Sequence, residues 1–262
     1  MATLALDRPT DSIRTGAPYW LDGYRAMVGW QLASLRLWLP VLAAIQILAG
    51  AGFVLGIALF FAQIPPSAAL YVSTGVPVIN LVMVGLILGP QLVADQKVEQ
   101  SYEFLQTLPV RRTATALAWY TVTLIGGLPA VVVSLLIAQA RYHIAFEISP
   151  SIVPAVLLTA FTGTMLGYAL AHALADPMTT RLITQLLVFV IFGYAPILFP
   201  PWQMPAWLAA VNSWLPFRPM ATIVRGGLTD GMVGHVAGAY LVVAVWGAAG
   251  AAVSAWALGR RR

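Results

Sequence analysis

Charged residues are spread so unevenly along this chain that the gaps between them define its elements. No Asp, Glu, Lys or Arg occurs at residues 37–94, 113–140, 148–175, 182–217 or 231–259. A helix needs about 20 apolar residues to cross the hydrocarbon layer of a bilayer. Four windows fit one span each, and the window at 37–94 fits two, broken at Pro65-Pro66-Ser67. The pattern predicts six spans: Leu37 to Gln63, Leu70 to Ala94, Ala116 to Ala140, Ile152 to Ala175, Leu182 to Phe199, and Val233 to Leu258.

Ahead of the spans the pattern changes. Residues 1–17 are polar, with Pro9 and Gly16, and read as a mobile cytoplasmic tail; residues 18–262 read as a single transmembrane domain. No long apolar run follows the first charges, so this is not the pattern of a cleavable signal peptide. Residues 18–36 read as an amphipathic helix. Leu21, Tyr24, Val28, Leu32 and Leu35 share one face by three-to-four spacing, and Asp22, Arg25, Gly29 and Arg36 share the other. Trp20 and Trp30 suit the headgroup zone. The alternative is a plain cytosolic lead-in to the first span.

Charge then orients the spans. With the N-terminus in the cytoplasm, the inside segments hold Arg8, Arg14, Arg25, Arg36, Lys97, Arg111, Arg112, Arg181, Arg260, Arg261 and Arg262. The outside loops hold only Arg141, Arg218 and Arg225. That bias follows the positive-inside rule and places both termini in the cytoplasm of a cell-membrane protein. Composition agrees. Only 9% of the 262 residues are charged and 60% are hydrophobic. This excludes a soluble globular enzyme, a disordered chain and, with no cysteine, a disulfide-stapled domain. An outer-membrane barrel would need polar lumen-facing positions. The net charge of +5 is explained by topology, without nucleic acid.

Much chemistry is missing. The charge-free windows hold no Asp, Glu, Lys or Arg, and His235 falls at the outer surface, which leaves only His172, whereas ion-coupled carriers keep an intramembrane group for the driving ion. Walker A, G-x-S-x-G and H-E-x-x-H motifs are absent, and no metal site can be assembled. His172 reads as a packing residue or, less simply, a proton relay. Small-residue pairs at Gly52/Gly56, Gly85/Gly89 and Gly163/Gly167 read as close intramolecular helix contacts, with dimer contact as the other option.

Two segments carry more information. After the second span comes Asp95-Gln-Lys-Val-Glu99-Gln-Ser-Tyr-Glu103-Phe-Leu-Gln-Thr-Leu-Pro109-Val-Arg-Arg112. Helical spacing puts Val98, Tyr102 and Leu105 on one face and stacks Asp95, Glu99 and Glu103 on another. Like charges four apart repel by a few tenths of a kcal/mol, so a basic partner surface would explain the stack. A solvated charged face is the alternative. Between the last two spans, Gly193 to Gly231 is too apolar for an exposed loop. Pro205 opens one short helix ending near Leu215; Pro219 opens a second through Val224, with Gly226-Gly227 ending it. Trp202, Trp207 and Trp214 suit an interface. The pair reads as a hairpin dipping into the outer leaflet, or as one lying on the surface.

At these segments the sequence resembles the permeases of ABC type-2 transporters, a six-span exporter class. The family's G-T-L-E-x-L-L-x-x-P-V-S-R motif has its counterpart in residues 100–112, where Glu103, Leu105, Pro109, Val110 and Arg112 match. Gln100, Ser101 and Tyr102 replace the usual Gly-Thr-Leu. The family's outer motif is matched by Ala195-Pro-Ile-Leu-Phe-Pro200 and Met204-Pro-Ala-Trp-Leu208, with Leu215-Pro216 in place of Asn-Pro and Arg225 at the later basic position.

The resemblance implies an all-α polytopic fold with six transmembrane helices. It implies that the amphipathic segment is a cytoplasmic connecting helix and that the loop helix couples to a separate ABC ATPase, through Asp95, Glu99, Tyr102, Glu103, Phe104, Leu105 and Pro109. It makes the outer hairpin a re-entrant gate, with Pro196, Phe199, Pro200, Pro205, Trp207 and Arg225. The working unit would hold two permease chains, identical or not, and two ATPase chains. This chain would carry no catalytic site or cofactor; ATP and Mg would sit on the partner. Asn80, Gln185, Phe189, Phe192 and Tyr194 are candidates for the path near the second and fifth spans, or ordinary packing residues. A charge-free, aromatic path suits a lipophilic or amphipathic substrate such as a drug, antibiotic or lipid. Two other classes stand beside the exporter: a membrane scaffold or assembly factor, and an intramembrane enzyme using His172.

Overall fold

In hydrocarbon every backbone N–H and C=O must be satisfied within the chain, and the charge-free windows accordingly fold as helices. A computed structural model describes residues 16–60 and 65–260. The expected tail at 1–15, and Arg8, Arg14, Arg261 and Arg262, lie outside the described residues; Ala17, assigned to the tail, opens the first helix. Eleven α-helices occur among the described residues, and no strand: α1 Ala17–Leu35, α2 Trp38–Phe60, α3 Pro66–Val82, α4 Gly89–Val98, α5 Ser101–Thr107, α6 Arg112–Tyr142, α7 Ile152–Ala173, α8 Pro177–Tyr194, α9 Ala206–Trp214, α10 Phe217–Leu228 and α11 Val236–Arg260.

Among the described residues, six helices are long and apolar enough to cross a membrane: Trp38–Leu59, Pro66–Val98, Arg112–Tyr142, Ile152–Ala173, Pro177–Tyr194 and Val236–Ala257. The second is α3 and α4 joined through a π-helical turn at Met83–Leu88, where the Gly89 N–H reaches back to the Val84 carbonyl. The turn lies just ahead of Pro90, whose ring would crowd the Leu86 carbonyl in a regular helix. At 1.5 Å per residue the joined helix is about 50 Å long. It therefore has two distant ends: α5 follows its last residue, and α10 meets its first turns.

This helix is the centre of the fold. Tyr71 to Val82 are all buried, and the main core gathers Ile79, Val82 and Leu86 with Ile191, Met220 and Val224. By contrast, only 17% of the α8 and α11 spans is buried, against 67% of α3–α4. The outward faces of α2, α8 and α11 carry Leu48, Leu59, Leu186, Phe189, Leu241 and Val245, which face lipid or another chain without cost.

Backbone contact holds the inner helices. A Cβ on Gly167 would lie 2.2 Å from the Gly85 carbonyl oxygen, and one on Gly85 would lie 2.7 Å from the Thr164 N. Gly163 and Gly167 thus serve intramolecular packing. Gly52 and Gly56 do not: nothing among the described residues comes within 4 Å of a Cβ at either.

Several expectations change. The fifth span ends at Tyr194, not Phe199. Pro196 pushes Ala195 to an extended conformation (ψ 125°), which stops the helix. It begins earlier, at Pro177, because Asp176 caps it, accepting from the Met178 N–H at 3.3 Å and the Thr179 N–H at 2.7 Å. Hydrogen bonds from the Thr179 side chain and backbone hold the Asp176 carboxyl below its ordinary range. The cap's contribution is present above the ordinary carboxylate pKa and is lost as pH falls through the lowered one. Helix α10 starts at Phe217 and runs through Gly226-Gly227 to Leu228, because Gly227 is held in the helix by contact with the Ile152 backbone. Helix α1 keeps most of its expected sidedness, with Tyr24, Val28, Leu32 and Leu35 half-buried and Asp22, Arg25, Gly29 and Arg36 exposed. It is turned somewhat from the expected face, so that Met27 and Gln31 are buried and Leu21 is exposed. The rotation follows from hydrogen bonds to the α6 region: Tyr19 Oη donates to the Pro109 carbonyl, Trp20 Nε1 donates to Thr113 Oγ1 at 2.9 Å, and Tyr24 Oη pairs with Thr121 Oγ1 at 2.8 Å.

Candidate functional site: the α5 segment and the α9–α10 hairpin

The acidic segment is not one continuous helix. Gln100 adopts the left-handed conformation, with φ 61°, and separates α4 from α5. Asp95, Glu99 and Glu103 therefore do not stack, and Val98 does not share a face with Tyr102: Val98 is exposed and Tyr102 is buried. Asp95 instead bonds Arg181 of α8 at 2.5 Å, in a half-exposed pair. Such a pair contributes about 0–1 kcal/mol.

The break turns α5 into a two-sided element. Tyr102 inserts among Val93, Trp119, Tyr168 and Ala171, and its ring centroid is 5.7 Å from that of His172. Glu99, Glu103, Phe104 and Pro109 are exposed, and Leu105 is half-buried. His172 Nδ1 is 2.7 Å from the Tyr168 carbonyl, a packing arrangement within α7. Leu108 and Arg111 are extended, so the chain turns sharply from α5 into α6.

Lys97 was absent from the expected site, although it is the only lysine in the chain. Its Nζ donates to the Ala171 carbonyl at 2.6 Å and the Leu174 carbonyl at 2.7 Å, and lies 5.2 Å from the centroid of the Tyr102 ring. A cation there satisfies the orphan carbonyls at the end of α7 and complements the helix dipole. It also ties the root of α5 to α7. Lys97→Met is expected to destabilise this corner by about 2 kcal/mol, the scale of charged hydrogen bonds. Amide exchange across residues 170–175 should then quicken; unchanged exchange would refute the tie.

At the other end of α3, Arg225 is 1% exposed. Its Nε donates to Thr74 Oγ1 at 2.9 Å, and its Nη2 to the Ile197 carbonyl at 2.8 Å and the Tyr71 carbonyl at 3.2 Å. The guanidinium also lies 3.5 Å from the centroid of the Tyr71 ring, a cation–π contact. Burial pulls its pKa down to about 10, so it stays charged at neutral pH. Expected as a basic residue of an outside loop, Arg225 is the buried clasp between α10, the start of α3 and the stretch after α8.

The other hairpin residues divide around that clasp. Pro196 is buried beside Ile197, Phe199 and Pro200 are half-buried, and Pro205 and Trp207 are exposed. Asn212 Nδ2 donates to the Tyr194 and Leu208 carbonyls at 3.0 Å each, and Trp246 Nε1 donates to the Trp214 carbonyl at 2.7 Å. These bonds tie α9 to the end of α8 and to α11. Trp202, Trp207 and Trp214 remain exposed. Tyr71 and Thr74, which hold Arg225, had no sequence signal beyond lying in a span.

Four of the five path candidates lie on α8, and Asn80 lies on α3. Asn80 is 2% exposed and donates from Nδ2 to the Ala130 carbonyl at 3.3 Å, while its own carbonyl accepts from Gln46 Nε2 at 3.3 Å. It sits between helices. Gln185, Phe189 and Tyr194 are exposed on α8, and Phe192 stacks on Phe53 with centroids 5.2 Å apart. No group of three or more potential metal ligands occurs among the described residues.

Comparison with known proteins now adds to the geometry. The family model described as "ABC-2 family transporter protein" matches residues 63–255, from the start of α3 nearly to the end of α11. No curated protein matches the chain. The matched stretch contains the long central helix, the α5 segment and the clasped hairpin, and so the chain belongs to the ABC-2 transporter family, as a multi-pass transmembrane component.

Proposed function

We propose that this chain is the transmembrane subunit of an ATP-driven exporter, powered by a separate ABC ATPase that docks on α5. The observation that carries this reading is the two-sidedness of α5. Its inner side is held by Tyr102, and its outer side presents Glu103 and Phe104, with Glu99 exposed just ahead of it at the end of α4. Two carboxylates around an exposed aromatic form a surface suited to a basic, partly apolar cleft. The α5 end is then cytoplasmic, as are both termini, and the hairpin is the outer gate.

Force applied to α5 would pass through Tyr102 and Lys97 into α4 and α7. The π-turn at Met83–Leu88 is a place where the central helix could change register. The substrate is lipophilic or amphipathic, since beyond Arg181 the exposed face of α8 offers Leu186, Phe189 and Tyr194 with no charge. A second permease chain, the same or another, would complete the path. ATP and Mg belong to the ATPase, and nucleic acid is not a partner.

The test is co-purification with the ABC ATPase encoded nearest the gene, followed by ATP hydrolysis and export in liposomes. Glu103→Lys is expected to weaken docking by about 1.4 kcal/mol, which is roughly tenfold in affinity, and to lower export while the ATPase alone keeps its basal rate. A complex carrying that change with normal assembly and export would sink the docking role. Failure of any ABC ATPase to co-purify would favour a scaffold.

A further inference from the structure

A cavity of about 870 Å³ lies at the α5 end, between α1, the start of α6, and the α4 and α7 helices. Its size is in the range of small-molecule sites, roughly 300–1,000 Å³. Its charge is one-sided. Arg111 and Arg112 line it together with His172, and no Asp or Glu does. The acidic residues of the neighbouring segment lie outside it: Asp95 is engaged by Arg181, Glu99 is exposed at the end of α4, and Glu103 is on the exposed side of α5.

Two further observations point to an anion. Helix α6, 31 residues long, starts at this cavity with Arg112, Thr113 and Thr115 on the wall, and it has no side-chain cap. The first N–H groups of a helix carry partial positive charge and bind phosphate or carboxylate oxygens. Independently, Gln31 of α1 is on the wall, 1% exposed, and neither its Nε2 nor its Oε1 has a hydrogen-bond partner. A buried amide without partners costs about 1–3 kcal/mol, so this one calls for a ligand. Apolar side chains, among them Met27, Leu105, Leu108 and Trp119, share the rest of the wall with Gln96 and the tyrosines Tyr19, Tyr102 and Tyr168.

We propose that this cavity binds the phosphate group of an anionic amphiphile. Arg111 and Arg112 supply the charge, the start of α6 supplies N–H donors, and Gln31 supplies an amide donor. The apolar part of the ligand lies along Met27, Leu108 and Trp119. Bound there, it bridges α1 to the turn between α5 and α6, beside the Tyr19–Pro109 hydrogen bond. The site is separate from the path candidates on α8, and it stands whether or not the export reading does.

The test uses the full chain in nanodiscs of phosphatidylcholine, with or without phosphatidylglycerol, and in a further arm with added inorganic phosphate. Lipid retention is read by native mass spectrometry and stability by thermal unfolding. Phosphatidylglycerol is expected to be retained and to raise the unfolding temperature. Gln31→Leu should weaken retention by about tenfold, as should Arg111→Gln with Arg112→Gln. Gln31→Leu removes an unpartnered amide, so in pure phosphatidylcholine it should unfold no earlier than the native chain. That outcome separates ligand loss from misfolding. A response to inorganic phosphate without one to phosphatidylglycerol would keep the site and make its ligand a soluble phosphate. Retention unaffected by both sets of changes, or no response to either probe, would overturn the proposal.

Discussion

Gly167→Val is expected to prevent the bundle from assembling, with a loss of about 3 kcal/mol or more. Even the first added carbon meets fixed atoms: 2.2 Å from the Gly85 carbonyl oxygen, 3.0 Å from the Leu86 Cα and 3.1 Å from the Gly85 carbonyl carbon. All three belong to the backbone of the π-turn, so no side chain can rotate away. Relief requires α7 to move off the central helix. In lipid that separation is costly, because helix association rests on close van der Waals packing rather than on escape from water. Helix propensity works the other way, favouring alanine over glycine by about 1 kcal/mol, but the clash outweighs it. Gly167→Ala should therefore also destabilise, by less. Gly52→Ala and Gly56→Ala are the controls, since each Cβ would enter open space within the chain. Thermal unfolding in detergent should show a large drop for the first pair and little change for the second. Equal behaviour of all four would refute the backbone contact.

Arg225→Met should destabilise the hairpin by about 3–5 kcal/mol. The native guanidinium serves Thr74 Oγ1 and the carbonyls of Tyr71 and Ile197, and packs on the Tyr71 ring. Methionine fills part of the space but leaves two buried carbonyls without that donor. Arg225→Lys keeps the charge, yet a single ammonium cannot reproduce a planar fork that reaches three acceptors while stacking on a ring. It should recover only part of the loss. Hydrogen exchange localises the effect: protection should fall at 195–198 and 217–228 and hold at α5. If protection at the hairpin survives Arg225→Met, Arg225 is not the clasp. Gly75 adds a second tie at this place, since a Cβ there would lie 2.3 Å from the Ile197 carbonyl oxygen.

The spans were legible because lipid imposes one rule on every residue in them. Charge is excluded and backbone groups must pair within the helix, so a run without charge can be read directly as an element. The ends were less legible. Asp176 moved the start of α8 and Ala195-Pro196 moved its end, both through local backbone geometry. Within α10, Gly226-Gly227 reads locally as a stop, yet the chain continues as helix because Ile152 packs there.

The acidic segment shows where periodicity misleads. Its residues fit a single stripe at spacing four, but Gln100 leaves the helical region and Asp95 finds Arg181, 86 positions away. What survives is the outward display of Glu99, Glu103 and Phe104. Amphipathicity placed the polar face of α1 correctly but missed its two most buried residues, Met27 and Gln31. Leu21 and Gln31 differ in hydrophobicity in the expected sense, but three hydrogen bonds to the α6 region set the rotation and bury the glutamine.

By itself, then, the sequence determined what each stretch must do to enter a bilayer: six apolar helices, a short acidic segment after the second, and a proline-punctuated stretch before the last. Those properties depend on composition and local spacing, which a linear pattern carries. Only the tertiary structure decided which glycines touch, which cation is a clasp, and that a buried, unpartnered glutamine of α1 lies at the wall of a cationic cavity. Each of those is a meeting of residues far apart in the chain, made when helices pack at backbone distance, and no local pattern encodes the partner.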